Sequence, residues 1–247
     1  MTTDAHQQLI EAAEAGDRNV QYDLGNEYAT GSQGEVDLAR AAEWYRNAGE
    51  QGHADALCNY AFLVYAGQGV DKDVERGVAL FEQAANLGQS QAQLNLGIHF
   101  ASGGKRDMEH AMHWLRVAAA NGEPEAAYNL GVMHFDGTAA NHDHGLAAQY
   151  FQQGADAGNR EAQYSLGYCY SKGFGVEKNP VRAVELYRMA AEQGHSSAQY
   201  NLGLHHEYGE GGVEPDPEEA IFWYQKASNQ GHERAREAIR LLESNES

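Results

Sequence analysis

The chain has 247 residues, 42% hydrophobic and 21% charged, the balance of a folded protein. Its 36 acidic against 17 basic residues give a formal net charge of −19. Such a surface repels phosphate backbones and anionic lipids, so nucleic acid and membranes are excluded as expected partners and a basic protein or peptide is favoured. The first residues, MTTDAHQQLIEAAEAGD, lack the basic start and apolar core of a secretory signal, and the chain holds no run of about 18 apolar residues. With two cysteines, Cys58 and Cys169, there is no disulfide framework, and a cytoplasmic protein is expected.

In chain order, residues 1–16 read as a lone helix, with Ala5, Leu9, Ala12 and Gly16 on one face. Then the chain repeats. YDLGNEY (22–28), NYAFLVY (59–65), LNLGIHF (94–100), YNLGVMH (128–134), YSLGYCY (164–170) and YNLGLHH (200–206) align on Gly25, Ala61, Gly97, Gly131, Gly167 and Gly203. These are spaced 36, 36, 34, 36 and 36 residues apart. Six residues after each lies a second glycine: Gly31, Gly67, Gly103, Gly137, Gly173 and Gly209. A third series, Gly52, Gly88, Gly122, Gly158, Gly194 and Gly231, closes alanine-rich segments that open on Asp37, Asp73, Asp107, Asp143, Asn179 and Asp216. Asp and Asn accept hydrogen bonds from the free N–H groups of a helix start, and glycine ends a helix at little conformational cost. Each unit therefore reads as helix A, turn, helix B, turn.

Along helix B, small residues (Ala41, Gly77, Ala111, Ala147, Ala183, Ala220) are followed four positions on by Tyr45, Phe81, Leu115, Phe151, Tyr187 and Tyr224, a buried stripe at helical spacing. Trp44, Trp114 and Trp223 precede the ring and read as stacking residues. Residues 233–247 match the start of a helix A, with Arg240 in the glycine's place. The expected fold is an all-α, α/α superhelical solenoid forming a single domain over 1–247. It has a capping helix at 1–16, repeats at 17–53, 54–89, 90–123, 124–159, 160–195 and 196–232, and a second capping helix at 233–247.

The clearest copies, AQYSLGYCYSKGFGVEKNPVRAVELYRMAAEQGH (162–195) and AQYNLGLHHEYGEGGVEPDPEEAIFWYQKASNQGH (198–232), resemble the Sel-one-like repeat (SLR) family, relatives of the tetratricopeptide repeats. The resemblance implies a right-handed superhelix used as a protein-binding scaffold or adaptor, not a catalyst. It also implies that helix A lines the concave face. Three slots around the helix-A glycine then share that face. They contain Tyr22, Phe62, Tyr65, Tyr128, Val132, Phe135, Tyr164, Tyr168 and Tyr200 as candidate partner-binding residues. The alternative use of these rings is packing between adjacent A helices. Asn59, Asn95, Asn129 and Asn201 form a ladder beside them, suited either to gripping peptide backbone or to bonding between repeats. An acidic patch, Glu207, Glu210, Glu214, Asp216, Glu218 and Glu219, either receives a Lys/Arg-rich segment or is a solvated loop.

Catalytic motifs are missing: the sequence has no phosphate loop, no HExxH and no GxSxG. DKDVERG (71–77) imitates a calcium loop but has Arg76 where the turn glycine belongs. His53, His195 and His232 follow the closing glycine and fit the repeat; the pair His205–His206 does not. His110, His113, His142 and His144 are candidate nitrogen ligands for the competing reading, a metal-assisted hydrolase. No carboxylate or thiolate spacing completes such a site, so no metal and no cofactor is expected. The leading expectation is an adaptor, or an inhibitor of immunity type, for a basic protein or peptide.

Overall fold

The computed structural model describes residues 2–32, 34–102, 107–138 and 142–245, with side chains from 6 to 244. Gly103 and the side chain of Ala5 lie outside this range. Fourteen α-helices and no strand occur among the described residues. They fall into two compact units. The first, residues 1–121, holds α1 (Thr2–Glu14), α2 (Arg18–Thr30), α3 (Leu38–Glu50), α4 (Ala54–Ala66), α5 (Val74–Asn86), α6 (Ser90–Ser102) and α7 (Met108–Ala120). The second, residues 122–247, holds α8 (Pro124–Phe135), α9 (His144–Asp156), α10 (Arg160–Lys172), α11 (Pro180–Glu192), α12 (Ser196–Tyr208), α13 (Pro217–Asn229) and α14 (Glu233–Asn245). Within each unit every helix packs on its neighbours in sequence. The even-numbered helices are the A helices and the odd-numbered ones the B helices of the repeat.

All six expected B-helix caps are in place. The side chains of Asp37, Asp73, Asp107, Asp143, Asn179 and Asp216 each accept the backbone N–H three residues on. Such a cap is worth about 1 kcal/mol. The backbone N–H of the same residue binds back to the preceding A helix, as Asn179 does to the Tyr170 carbonyl at 2.9 Å, and so closes the A–B loop from both sides. The B helices end on left-handed glycines such as Gly194, with φ of 85°.

The helix-A glycine is a contact, not a hinge. A Cβ on Gly203 would lie 2.5 Å from the ring of Tyr224, and one on Gly131 2.5 Å from Phe151. Repeat 2 reverses the arrangement, with Ala61 on the A helix and Gly77 on the B helix. There a Cβ on Gly77 would meet the Tyr65 Cα at 2.8 Å. Alanines at 0–3% exposure (Ala41, Ala84, Ala147, Ala190 among them) fill the rest of the seam, so backbones approach closely around one large side chain per repeat, a ring in five and Leu115 in the third.

A second, polar ladder runs through the core. Gln21, Gln93, Gln163 and Gln199 are buried. Each donates through Nε2 to a carbonyl of the preceding B helix: Ala13 at 2.9 Å, Ala85 at 3.1 Å, Ala155 at 3.4 Å and Ala191 at 3.0 Å. Each accepts on Oε1 from the residue just past the following B helix: Gln51 at 2.8 Å, Asn121 at 2.9 Å, Gln193 at 2.8 Å and Gln230 at 2.8 Å. Repeats 2 and 4 carry Leu57 with Leu87 and Ala127 with Ala157 at these positions. Amide is matched with amide and apolar with apolar, so neither half is buried without its partner.

Candidate functional site

The A-helix face is built from the three slots expected from the sequence, and the slots do different jobs. Tyr22, Tyr164 and Tyr200, three residues before the glycine, are half-buried. Each stacks flat on a histidine at the start of the next A helix: His53 at 4.5 Å, His195 at 4.3 Å and His232 at 4.6 Å between centroids. The same histidines cap that helix, accepting on Nδ1 from Ala56, Ala198 and Ala235 at 3.2, 3.1 and 3.3 Å. An Nδ1 that accepts fixes the proton on Nε2, and in His195 this Nε2 meets Glu161 Oε2 at 2.8 Å. Burial holds the imidazoles of His195 and His232 below the usual histidine range; Glu161 opposes this at His195. At this cap position other repeats use Asp17, Gln89 and Asn159.

The slot after the glycine is the more open one. Phe62 is 48% and Ile98 38% exposed in the first unit. Nearby, Tyr65 is hydrogen-bonded to His99 Nδ1 at 3.0 Å. In the second unit Val132, Tyr168 and Leu204 are half-buried. The asparagine ladder is partly spent on structure. The Tyr45 hydroxyl donates to Asn26 Oδ1 at 2.8 Å with Asn59 beside it, and Asn201 lies beside the hydroxyls of Tyr164 and Tyr187. Asn95 accepts from Gln91 at 3.3 Å.

Two cavities open on this face of the second unit. One, of about 210 Å³, is lined by Val132, Phe135, Asp136, Phe151, Tyr164, Ser165 and Tyr168. The other, of about 350 Å³, shares Tyr164 and Tyr168 and adds Ser171, Lys172, Tyr187, Asn201, Leu204, His205, Glu210 and Arg234. Tyr128, one helical turn before Val132, lies tilted against Phe151 at 6.1 Å between centroids. Its hydroxyl is held above the ordinary tyrosine range by burial and by the charges of Glu161 and Asp136.

Half of the acidic patch has a partner. Glu207 accepts the Tyr224 hydroxyl at 2.6 Å, Asp216 caps α13, and Glu219 accepts from Trp223 Nε1 at 2.8 Å. Glu210, Glu214 and Glu218 are exposed. The unexplained pair His205–His206 is buried. His205 faces the Tyr187 ring at 5.9 Å, and His206 Nε2 meets Arg188 Nη2 at 3.3 Å.

Of the candidate metal ligands, two are hydrogen-bonded and two pack against rings. His110 pairs with Asp107 at 2.7 Å, and His113 lies edge-on to Trp114 at 5.2 Å. His142 Nδ1 donates to the Phe135 carbonyl at 2.8 Å, and His144 packs against Phe135 and Phe174. Among the described residues no three His, Cys, Asp or Glu side chains come together as a metal site. Cys58 and Cys169 are free and buried. No helix among the described residues is long and apolar enough to cross a membrane.

A capped A–B helix pair, closed by a glycine contact within the pair and repeated along the chain, defines an α-solenoid repeat protein. The Sel1 repeat profile matches residues 19–53, 54–89, 90–123, 124–159, 160–195 and 196–232, and the chain belongs to the Sel1 repeat family. Among solved structures it is similar to c5321, a protective antigen of uropathogenic Escherichia coli with an SLR fold. That match has 31% identity and a TM-score of 0.87 over 94% of this chain and 50% of that one. A Sel1 repeat protein from Oxalobacter formigenes gives 29% identity and a TM-score of 0.75, covering 86% and 85% of the two chains. The immunity protein Pa5087 of Pseudomonas aeruginosa gives 25% and 0.52, covering 86% and 81%. The Sel1-repeat-containing protein YjcO of Escherichia coli K12 is 33% identical over 89 residues, 36% of this chain and 37% of that relative. Proteins of this repeat class mediate protein–protein interactions.

Proposed function

We propose that the chain is a non-catalytic interaction scaffold that holds a protein or peptide on its A-helix face. Val132, Phe135, Tyr164 and Tyr168 are the central contacts, Tyr128 and Tyr200 flank them, and Tyr22, Phe62, Tyr65 and the asparagines contribute where their packing leaves surface. The observation that carries this reading is the aromatic cavity in the second unit. Three successive helices, α8, α9 and α10, contribute to a concave apolar wall that the core does not fill, the usual mark of a recognition surface. Tyr168→Ala should remove a partner that the native protein retains, while Val181→Ala, an exposed change on α11, should not. A retained partner insensitive to Tyr168→Ala would overturn the placement of the surface.

Within that class, an inhibitory role of immunity type is supported by the likeness to Pa5087 and by the acidity of the chain. Co-expression with the product of a neighbouring gene tests it: relief of toxicity supports inhibition, and unrelieved toxicity despite complex formation favours an adaptor. No observation favours the hydrolase reading.

A further inference from the structure

We infer that the cavity between Phe135 and Tyr168 receives a basic side chain, an arginine or lysine, from an extended segment of the partner. This deepens the scaffold reading and rests on it.

Size comes first. About 210 Å³ falls below the ~300–1,000 Å³ of small-molecule pockets and suits a single long side chain. Its walls are Val132 and the rings of Phe135, Phe151, Tyr164 and Tyr168, and its one charged lining group is Asp136. An arginine or lysine stem is apolar and lies readily on such walls, leaving its charged head at the polar rim. Aromatic faces attract a cation within about 6 Å.

Charge decides between a basic and an aliphatic occupant. Asp136 is exposed and stands at the C-terminal end of α8, where helix carbonyls add partial negative charge. Ser165 supplies a further acceptor. An aliphatic side chain would cover that carboxylate without pairing it, at a desolvation cost. The second unit carries 19 acidic against 9 basic residues, which draws a basic segment to it. The neighbouring cavity sets Lys172 and Arg234 against the single carboxylate of Glu210 in its wall, a net positive lining, so the preference for a cation falls on the first.

The test uses capped tripeptides, Ac-Ala-Arg-Ala-NH2 and its citrulline, norleucine and glutamate counterparts, titrated into the full chain. Aromatic ring resonances of Phe135 and Tyr168 are followed by NMR. The arginine peptide should shift both rings saturably and bind about five-fold or more tighter than the citrulline peptide, with affinity falling as salt rises. Asp136→Asn should weaken it by a similar factor. Asp136→Lys, folded as judged by its circular dichroism, should lose the arginine peptide and gain the glutamate one. Norleucine binding as tightly as arginine, or indifference to Asp136→Asn, would overturn the basic preference and leave the scaffold reading intact. No ring shift with any peptide would overturn the cavity as a side-chain site. Loss of the native partner on Tyr168→Ala, measured separately, judges the scaffold reading.

Discussion

Gln193, exposed just past the end of α11, donates through Nε2 to Oε1 of the buried Gln163 at 2.8 Å. An exposed residue therefore completes a buried one. Gln193→Leu should cost about 1–3 kcal/mol, because it strands a buried amide oxygen. The double change Gln163→Leu with Gln193→Leu should cost less than Gln193→Leu alone, since Leu57 and Leu87 already form that arrangement in repeat 2. Urea midpoints of Gln163→Leu, Gln193→Leu and the double change check this; additive losses would show that the two amides are uncoupled.

Stability should fall in mild acid. The neutral imidazoles of His195 and His232 accept a helix N–H on Nδ1, and protonation removes that acceptor. Their folded pKa values lie below the unfolded value of about 6.5. The unfolded chain therefore binds the proton first. The contribution is complete above about pH 6.5 and is lost as pH drops through the folded values. Melting temperatures from pH 8 to pH 5 should decline more steeply for the native chain than for His195→Asn, which installs the non-titrating cap already present at Asn159. Parallel declines would sink the assignment.

Gly203→Ala should destabilise by about 1–3 kcal/mol through overpacking. The new methyl has the Tyr224 ring at 2.5 Å, and Tyr224 is fully buried with its hydroxyl tied to Glu207. Gly194→Ala meets no neighbouring atom within 4 Å and should suffer only from its left-handed backbone. A melt of Gly203→Ala indistinguishable from the native one would mean that the ring yields.

Neither thiol should react in the folded protein. Burial pushes the Cys58 thiol up to about 12 and that of Cys169 to about 11, so almost no thiolate exists at pH 8. Ellman's reagent should titrate neither cysteine natively and both in guanidinium chloride. Fast native labelling of Cys169 would indicate local opening of α10.

The repeat, its caps and its closing glycines were legible in the sequence because each rests on local chemistry: an acceptor side chain at a helix start, a glycine at its end, a ring opposite a missing Cβ. The A-helix face was read as three slots, and one member or more of each (Tyr164; Val132 and Tyr168; Phe135) lines the first cavity. What helical spacing does not reveal is how a ring divides itself between neighbour and surface. Tyr164 gives one face to His195 and still lines both cavities, as does Tyr168, four residues on, which has no such histidine partner among the described residues. The amide ladder went unread, although AQY recurs at 162–164 and 198–200 with a Gln closing each B helix. Its signal was the joint swap to Leu57 with Leu87 and Ala127 with Ala157, visible only when two columns of the repeat are compared. The cavity at Phe135 was not legible, because it needs α8, α9 and α10 in register at once.

Both members of each amide pair lie inside one repeat, and the contact each makes with the preceding repeat is to a backbone carbonyl, which any sequence supplies. Duplicating or deleting a whole unit therefore moves donor and acceptor together and asks nothing of the new neighbour's side chains. As far as this ladder is concerned, the array can lengthen or shorten in steps of about 36 residues without a compensating change in either amide.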